Sequence, residues 1–122
     1  MTLGFKDIFV PFVMDGTKPH TLRTGENWRM GMTIQFYRNV RTRNQAKIRP
    51  DGMARVVQKA EIKRHEEQPC IFIDGRCLTP LEAQELARKD GFQDFVELLE
   101  FIDQIHGLPW KGQLIGWTNL RY

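Results

Sequence analysis

A hairpin turn followed closely by a helix start is the sequence feature that most constrains the fold. Asp74-Gly75 is a dipeptide typical of a two-residue β-hairpin turn. Soon after it, Thr79 predicts a helix N-cap, Pro80 the first helical position and Glu82 the second half of a capping box. The chain therefore combines paired strands with at least one helix that follows a hairpin directly.

Further strands and helices are predicted on both sides of this junction. Phe5, Ile8, Phe9, Phe12 and Val13 recur at helical spacing and predict a short N-terminal helix that Gly16 ends. β-forming residues predict strands over 18–23, 32–40 and 53–65, helical patterns follow at 80–90 and 93–106, and a last strand is expected over 113–120. This order predicts one α+β domain over residues 1–122, a small mixed β-barrel with an N-terminal helix and an inserted helix pair.

Composition places the chain among ordinary globular proteins. Of its 122 residues, 41% are hydrophobic and 27% charged, which excludes disorder as the main state. No apolar run reaches the roughly 18 residues of a membrane span, and the N-terminus does not resemble a signal peptide. We expect a cytoplasmic protein with no membrane partner.

The distribution of charge is uneven along the chain. Residues 1–65 hold 13 Lys/Arg against 5 Asp/Glu, whereas residues 66–122 hold 5 against 10. Such an asymmetry within one domain indicates a surface that faces a polyanion, with nucleic acid the first candidate.

The two cysteines flank the predicted hairpin turn. Cys70 and Cys77 would lie diagonally on one face, since residue 72 should face residue 77, and their separation would exceed the usual disulfide range. We expect two reduced and mostly buried thiols. A zinc site that adds His65 has the wrong ligand spacing, so neither a metal nor another cofactor is expected.

Polar residues that follow the first predicted helix form a candidate site. Gly16 leaves the helix, Lys18 lies at the turn, and Thr21 and Arg23 stand two residues apart on the same side of the next strand. An amine, a hydroxyl and a guanidinium thus converge on one small region. Taken alone, the segment is more typical of an exposed polar turn.

The same residues resemble the motif of a known family. Gly16-x-Lys18-x-x-Thr21-x-Arg23, then Trp28, Gly31 and the strand from Thr33, are similar to the ASCH domain family. The order of Asp74–Thr79, Ala87–Phe92 and Trp117 matches the same layout over nearly the whole chain. The resemblance implies a PUA-like β-barrel with a cleft, between barrel and helices, that faces RNA or a nucleoside.

The resemblance also implies two classes of activity. Some ASCH relatives are amidohydrolases that deacetylate acetylcytidine, and others are assigned ribonuclease activity. The working residues of the amidohydrolases are a Lys, a Thr and a distant Glu, of which Lys18 and Thr21 match the first two. The Glu aligns with Asp90, whose side chain is shorter, and Glu85 is a second candidate for the cleft carboxylate.

Two mechanisms are chemically coherent for these residues. In a metal-independent hydrolase, Thr21 would be the nucleophile, Lys18 with a lowered pKa its base, and Asp90 would orient Lys18. In a binding protein, Lys18 and Arg23 would hold phosphate, Thr21 would bond a base edge, and Asp90 would pair with Lys18.

A second basic segment lies between two predicted strands. It has five cations and no acid over residues 38–49, and we expect a long hairpin loop that binds RNA. Its cations are Arg38, Arg41, Arg43, Lys47 and Arg49. Because a free nucleoside has no phosphates for these residues, the loop favours an RNA-binding domain over a hydrolase of nucleosides.

Overall fold

The fold is taken from a computed structural model that describes all residues from 1 to 122. Strand residues make up 39% of the chain and helical residues 22%. The elements are β1 (Thr2–Phe5), α1 (Val10–Met14), β2 (His20–Thr24), β3 (Thr33–Arg38), β4 (Ala46–Met53), β5 (Val56–His65), β6 (Gln68–Ile73), β7 (Arg76–Cys77), α2 (Pro80–Lys89), α3 (Phe95–His106) and β8 (Trp110–Gly116).

The strands form two open sheets. One has three strands in the order β1-β3-β4, and the other has five in the order β2-β8-β5-β6-β7. The β-barrel that the sequence predicted is therefore wrong. The two sheets do not close on one another because β1 pairs only with β3 and β2 pairs only with β8, which leaves one edge of each strand outside the ladders.

The N-terminal segment differs from its prediction. Phe5 belongs to β1, which runs parallel to β3 with Phe5 opposite Arg38. The helix α1 has only five residues, with Pro11 in its first turn, and Ile8 is 63% exposed. Helical spacing was misleading here because Leu3 and Phe5 are buried by the alternation of a strand rather than by a helix face.

The junction of hairpin and helix is confirmed. In the hairpin, Phe72 pairs with Cys77 across the Asp74-Gly75 turn. The Thr79 hydroxyl accepts from the Glu82 backbone N–H, while the Glu82 carboxylate accepts from the Thr79 N–H, so the capping box is complete. Both cysteines are free and half-buried, which is more exposed than predicted.

The strand β4 was not predicted. The loop was expected over residues 38–49 and the next strand from residue 53, but residues 46–53 pair with β3, and the hairpin tip is limited to residues 39–45. Pro50 and Asp51 lie where the pairing shifts between Ile34–Gly52 and Phe36–Arg49. An edge strand tolerates a proline because one side of it donates no ladder hydrogen bonds.

Two aromatic groups mark the interior on either side of the N-terminal segment. Phe5, Phe36 and Trp117 pack together with ring centroids 5.0–6.2 Å apart, and Phe9, Phe92 and Phe101 do so at 5.2–5.6 Å. The first group lies between the sheets, and the second joins the start of α1 to the helix pair. No helix is long and apolar enough to cross a membrane.

Candidate functional site

A cleft of about 330 Å³ lies where the edge strands of the two sheets meet α3. Gly4 and Phe5 of β1 form one side, residues 21–24 of β2 another, and α3 with Phe92 the third. The cleft is also lined by Lys18 in the turn before β2, by Thr21 and Arg23 of β2, and by Asp90, the C-cap residue of α2. The structure thus brings together the four residues that the sequence analysis placed in one site.

The pairing of β2 with β8 sets the direction of the motif side chains. Thr21 lies opposite Ile115 and Arg23 opposite Gln113, so both project from the same face of the sheet. At Gly112, an added Cβ would overlap the backbone carbonyl of Arg23, so this position of β8 requires glycine. The close approach of the two strands fixes the backbone that carries Thr21 and Arg23.

Lys18 and Asp90 form a buried ion pair at the base of the cleft. The Lys18 Nζ lies 3.0 Å from Asp90 Oδ1 and donates to the Asp90 backbone oxygen at 2.6 Å. It also lies 5.0 Å from the centre of the Phe9 ring. Lys18 is 2% exposed and Asp90 4%, so water screens this pair very little.

The pKa values of this pair reflect burial and mutual attraction. Burial lowers the pKa of Lys18, and the charge of Asp90 opposes that shift without cancelling it. Burial alone would raise the pKa of Asp90, but the Lys18 charge and the hydrogen bond from His20 hold the pKa of Asp90 below its ordinary value. Asp90 is therefore ionised at neutral pH.

His20 and Tyr122 extend the network, and the sequence analysis assigned no function to either. The His20 Nδ1 lies 2.8 Å from Asp90 Oδ1, and its Nε2 lies 2.8 Å from the Tyr122 hydroxyl. Because an ionised carboxylate only accepts hydrogen bonds, Nδ1 carries the hydrogen and donates it. Nothing in the sequence near His20 indicates contacts with residues 70 and 102 positions away, so no sequence signal could have identified this network.

Arg23 bridges the two sheets. One guanidinium nitrogen donates to the Gly4 carbonyl of β1 at 2.8 Å, and Nε donates to the Thr21 hydroxyl at 3.3 Å. The guanidinium lies 5.0 Å from the centre of the Phe5 ring. Thr21 therefore accepts from Arg23 and keeps its own hydroxyl hydrogen for another acceptor.

The choice between the two candidate carboxylates is settled by position. Glu85 is exposed on α2, pairs with Lys89 at 3.1 Å and does not line the cleft. Asp90 ends the same helix, and its own backbone oxygen reaches Lys18. Lys18 therefore contacts both the backbone and the side chain of Asp90.

Lys18 and Thr21 are not hydrogen bonded to each other. The Lys18 amine contacts Asp90, and the Thr21 hydroxyl contacts Arg23. A hydrolase in which Lys18 takes the Thr21 proton would require those two atoms within hydrogen-bond distance. In the structure as it stands, the base and the nucleophile of that mechanism are separate.

The cations of the basic segment fall into two groups. Three have partners: Arg38 pairs with Asp7 at 2.8 Å, Lys47 with Asp51, and Arg49 lies 4.4 Å from the centre of the Phe36 ring. Arg41 and Arg43, at the exposed tip, form no ion pair. The segment is thus a hairpin with a short tip, not the long loop that was predicted.

The tip lies at the same end of the sheet as the cleft. β1 is parallel to β3, so that Phe5, which lines the cleft, stands opposite Arg38, where the tip begins. Lys6 follows Phe5 and lies 5.0 Å from the Phe101 ring centre at the wall of the cleft. Lys6 and the tip therefore place positive charge at the same end of the sheet, where the Asp7–Arg38 ion pair also lies.

No cluster of three or more His, Cys, Asp or Glu side chains has the arrangement of a metal site. Comparison with known proteins adds no further assignment, since no protein-family model, curated protein or solved structure matches the chain.

Proposed function

We propose that the protein binds single-stranded RNA, with one nucleotide in the cleft and the neighbouring phosphates at the hairpin tip. The observation that carries this proposal is the convergence of Lys18, Thr21, Arg23 and Asp90 on one cleft beside an unpaired basic tip. The proposal uses the motif and the class of ligand that the ASCH resemblance implies. It does not use the β-barrel of that family, because the two sheets are open.

The dimensions and lining of the cleft suit one nucleoside. A volume of about 330 Å³ is near the lower end of small-molecule sites. Phe101 of α3 is half-buried and can contact a base, while Phe5, Phe9 and Phe92 are buried and make the lining of the cleft apolar. Thr21 can donate to a base edge, and Arg23 offers a cation for a phosphate or a carbonyl oxygen. The cleft thus combines the two kinds of contact that single-stranded RNA needs.

The hairpin tip supplies the contacts for further phosphates. Arg41 and Arg43 are exposed and free of acidic partners, whereas Arg38 and Lys47 are each held by a carboxylate. We therefore expect Arg41 and Arg43 to contribute most of the affinity that depends on salt. Arg38 and Lys47 would contribute less, because binding RNA would first break an existing ion pair.

The test measures the affinity for a short fluorescein-labelled single-stranded RNA by anisotropy at several salt concentrations. Replacing Arg41 and Arg43 together by Gln should flatten the slope of log affinity against log salt by about 1.4, since each lost phosphate contact contributes about 0.7. The cleft variant Thr21→Val should weaken binding at every salt concentration and leave the slope unchanged.

The control replaces Lys59 and Arg64 by Gln, two exposed cations of β5 that lie outside the cleft and the tip. Their loss should leave the slope unchanged. The proposal fails if the wild-type protein does not bind RNA at low salt, or if the control flattens the slope as much as the tip variant does.

A second candidate function is metal-independent hydrolysis at the same cleft. The observation that favours it is the lowered pKa of Lys18, which burial causes and which a lysine base requires. Against it stands the separation of Lys18 from Thr21. Incubation of acetylcytidine and of the RNA with the protein, read by mass spectrometry, decides this question: a product that is lost in Lys18→Met and Thr21→Val would make the protein a hydrolase.

A further inference from the structure

The carboxylate of Asp90 uses its two oxygens differently. Oδ1 accepts both the His20 Nδ1 hydrogen bond at 2.8 Å and the Lys18 ion pair at 3.0 Å. Oδ2 has no protein partner. Every fully buried side-chain nitrogen or oxygen in the protein has a hydrogen-bond partner, so Oδ2 is not fully buried. Asp90 is also one of the residues that line the cleft, so a molecule bound there lies beside this carboxylate.

His20 is fixed on the side away from the ligand. It precedes Thr21 in β2, so the two side chains project to opposite faces of the strand, and His20 does not line the cleft. Its Nε2 is hydrogen bonded to the Tyr122 hydroxyl. Tyr122 is itself held through its backbone: its N–H donates to Gln58 Oε1 at 3.1 Å, and its carbonyl accepts from Gln58 Nε2 at 3.0 Å.

We propose that His20, supported by Tyr122, is a positioning residue that holds Asp90 so that Oδ2 faces the cleft as a hydrogen-bond acceptor for the ligand. This inference rests on the proposed function and adds to it the chemistry of the ligand group that contacts Asp90 in the cleft. That group must bring an N–H or O–H donor, as the amino or ring N–H edge of a nucleobase does. A group that carries only acceptors, such as a phosphate, would be repelled by Oδ2.

Lys18 alone would not give this orientation. Its Nζ contacts the backbone oxygen of Asp90 as well as Oδ1, so it fixes where the end of α2 lies more than how the carboxylate is rotated. The His20 imidazole adds a second, directional contact to Oδ1. With both contacts on one oxygen, the other is left free.

The first measurement needs no ligand. Carbon-detected NMR follows the Asp90 carboxyl through an acid titration in the wild-type protein and in three variants: His20→Leu removes the donor, His20→Asn keeps an N–H near the position of Nδ1, and Tyr122→Phe removes one oxygen. The charged groups that act on Asp90 besides His20 are Lys18 and Arg23, and none of the variants changes them. His20→Leu should raise the Asp90 titration midpoint, and His20→Asn should restore it.

The second measurement is the RNA affinity of the same variants. His20→Leu should bind about tenfold more weakly, as expected for the loss of a hydrogen bond to a charged group, with no change in salt slope. His20→Asn should retain most of the affinity, and Tyr122→Phe should lose about threefold. A role of His20 in packing alone would not be rescued by Asn.

The two proposals fail separately. If the wild-type protein does not bind RNA, the proposed function fails, while the Asp90 titration still decides the role of His20. If neither the titration nor the affinity changes in His20→Leu, the positioning role is overturned. If His20→Leu does not fold, the other two variants decide. The inference is overturned if Tyr122→Phe keeps the wild-type RNA affinity and Asp90 titration midpoint. It is also overturned if a folded His20→Asn keeps neither of them.

Discussion

Lys18 is the only Lys or Arg among the buried residues, and its ion-pair partner is Asp90. Moving two charges out of water costs several kcal/mol for each, and attraction offsets that cost only when the remaining donors and acceptors are satisfied. Here the Asp90 backbone oxygen and the Phe9 ring complete the environment of the ammonium. Removing one partner of such a pair leaves an uncompensated buried charge.

We therefore expect Lys18→Met to destabilise the protein by about 3 kcal/mol at neutral pH. The folded-state pKa of Asp90 is depressed, so its stabilising contribution is present above the unfolded value near 4 and is lost as the pH falls through the folded value. In Lys18→Met the carboxylate keeps only the hydrogen bond from His20, so we expect burial to raise the pKa of Asp90 relative to wild type and milder acidification to neutralise it. The difference in unfolding free energy between wild type and variant should shrink as the pH falls from 7 to about 3.

Urea denaturation across this pH range measures that difference. The matched control is Lys47→Met, which removes an exposed lysine from its ion pair with Asp51 and should change stability little at any pH. A Lys18→Met difference that stays constant from neutral to acid pH would show that the lysine contributes through packing and not through its charge.

At this scale the sequence predicted the members of the site better than their environment. The strand spacing placed Thr21 and Arg23 together, and the resemblance to the ASCH family added Asp90, with Glu85 as its alternative. The burial of Lys18 was not predictable, because it depends on Phe9 packing against Phe92, between α2 and α3, and Phe101 of α3, both distant in sequence. The contacts of His20 likewise depend on tertiary structure alone.

Among the elements, α2 has the boundaries that local chemistry defines best. The capping box fixes its start, and Gly91 follows its C-cap with a φ of +102°. An added Cβ at Gly91 would lie 2.8 Å from Cδ1 of Phe9. The end of α2, which carries Asp90, is therefore packed directly against the aromatic group beside the cleft.

Gly91→Ala should destabilise the protein by about 2–4 kcal/mol, because it adds a clash with the Phe9 ring to the strain of a positive φ. Gly75→Ala is the matched control. It has a similar φ of +82° but no atom within 4 Å of the added Cβ, so it should cost only about 1 kcal/mol. Thermal unfolding measures the loss of stability in both variants, of which Gly75→Ala carries backbone strain alone and Gly91→Ala carries strain and a clash. Equal losses of stability would contradict the packing of Phe9 on Gly91.

The strands were less predictable than α2, for a physical reason that β4 illustrates. Its sequence over 49–52, Arg-Pro-Asp-Gly, is typical of a turn, and only pairing with β3 makes it a strand. The apolar residues of β1 are so near those of α1 in sequence that together they resemble one helical pattern. Both β1 and β4 become strands only by pairing with β3, which is distant from β1 in sequence.

On the scale of the whole molecule, the cleft exists because the two sheets remain open. β1 and β2 present unpaired edges to each other, and Arg23 connects them through the Gly4 carbonyl instead of a strand ladder. The order of the elements could not distinguish this arrangement from a closed barrel. Both require the same strands and hairpins, and they differ in whether the edge strands of the two sheets pair, β1 with β2 and β4 with β7.

Arg23→Met tests this bridge, because it removes the guanidinium and leaves the Gly4 carbonyl without its donor. We expect a loss of about 2 kcal/mol in unfolding free energy, as for a hydrogen bond to a charged group, and faster amide exchange along β1. Arg49→Met is the control: Arg49 also lies on an aromatic ring, that of Phe36, but donates only to the neighbouring Pro50 carbonyl within β4. It should lose less than about 1 kcal/mol, since it removes packing of an arginine on a ring and no contact between sheets. Equal losses in the two variants, or unchanged exchange in β1, would mean that the sheets are held together by their shared aromatic packing alone and that Arg23 is free to turn wholly toward a ligand.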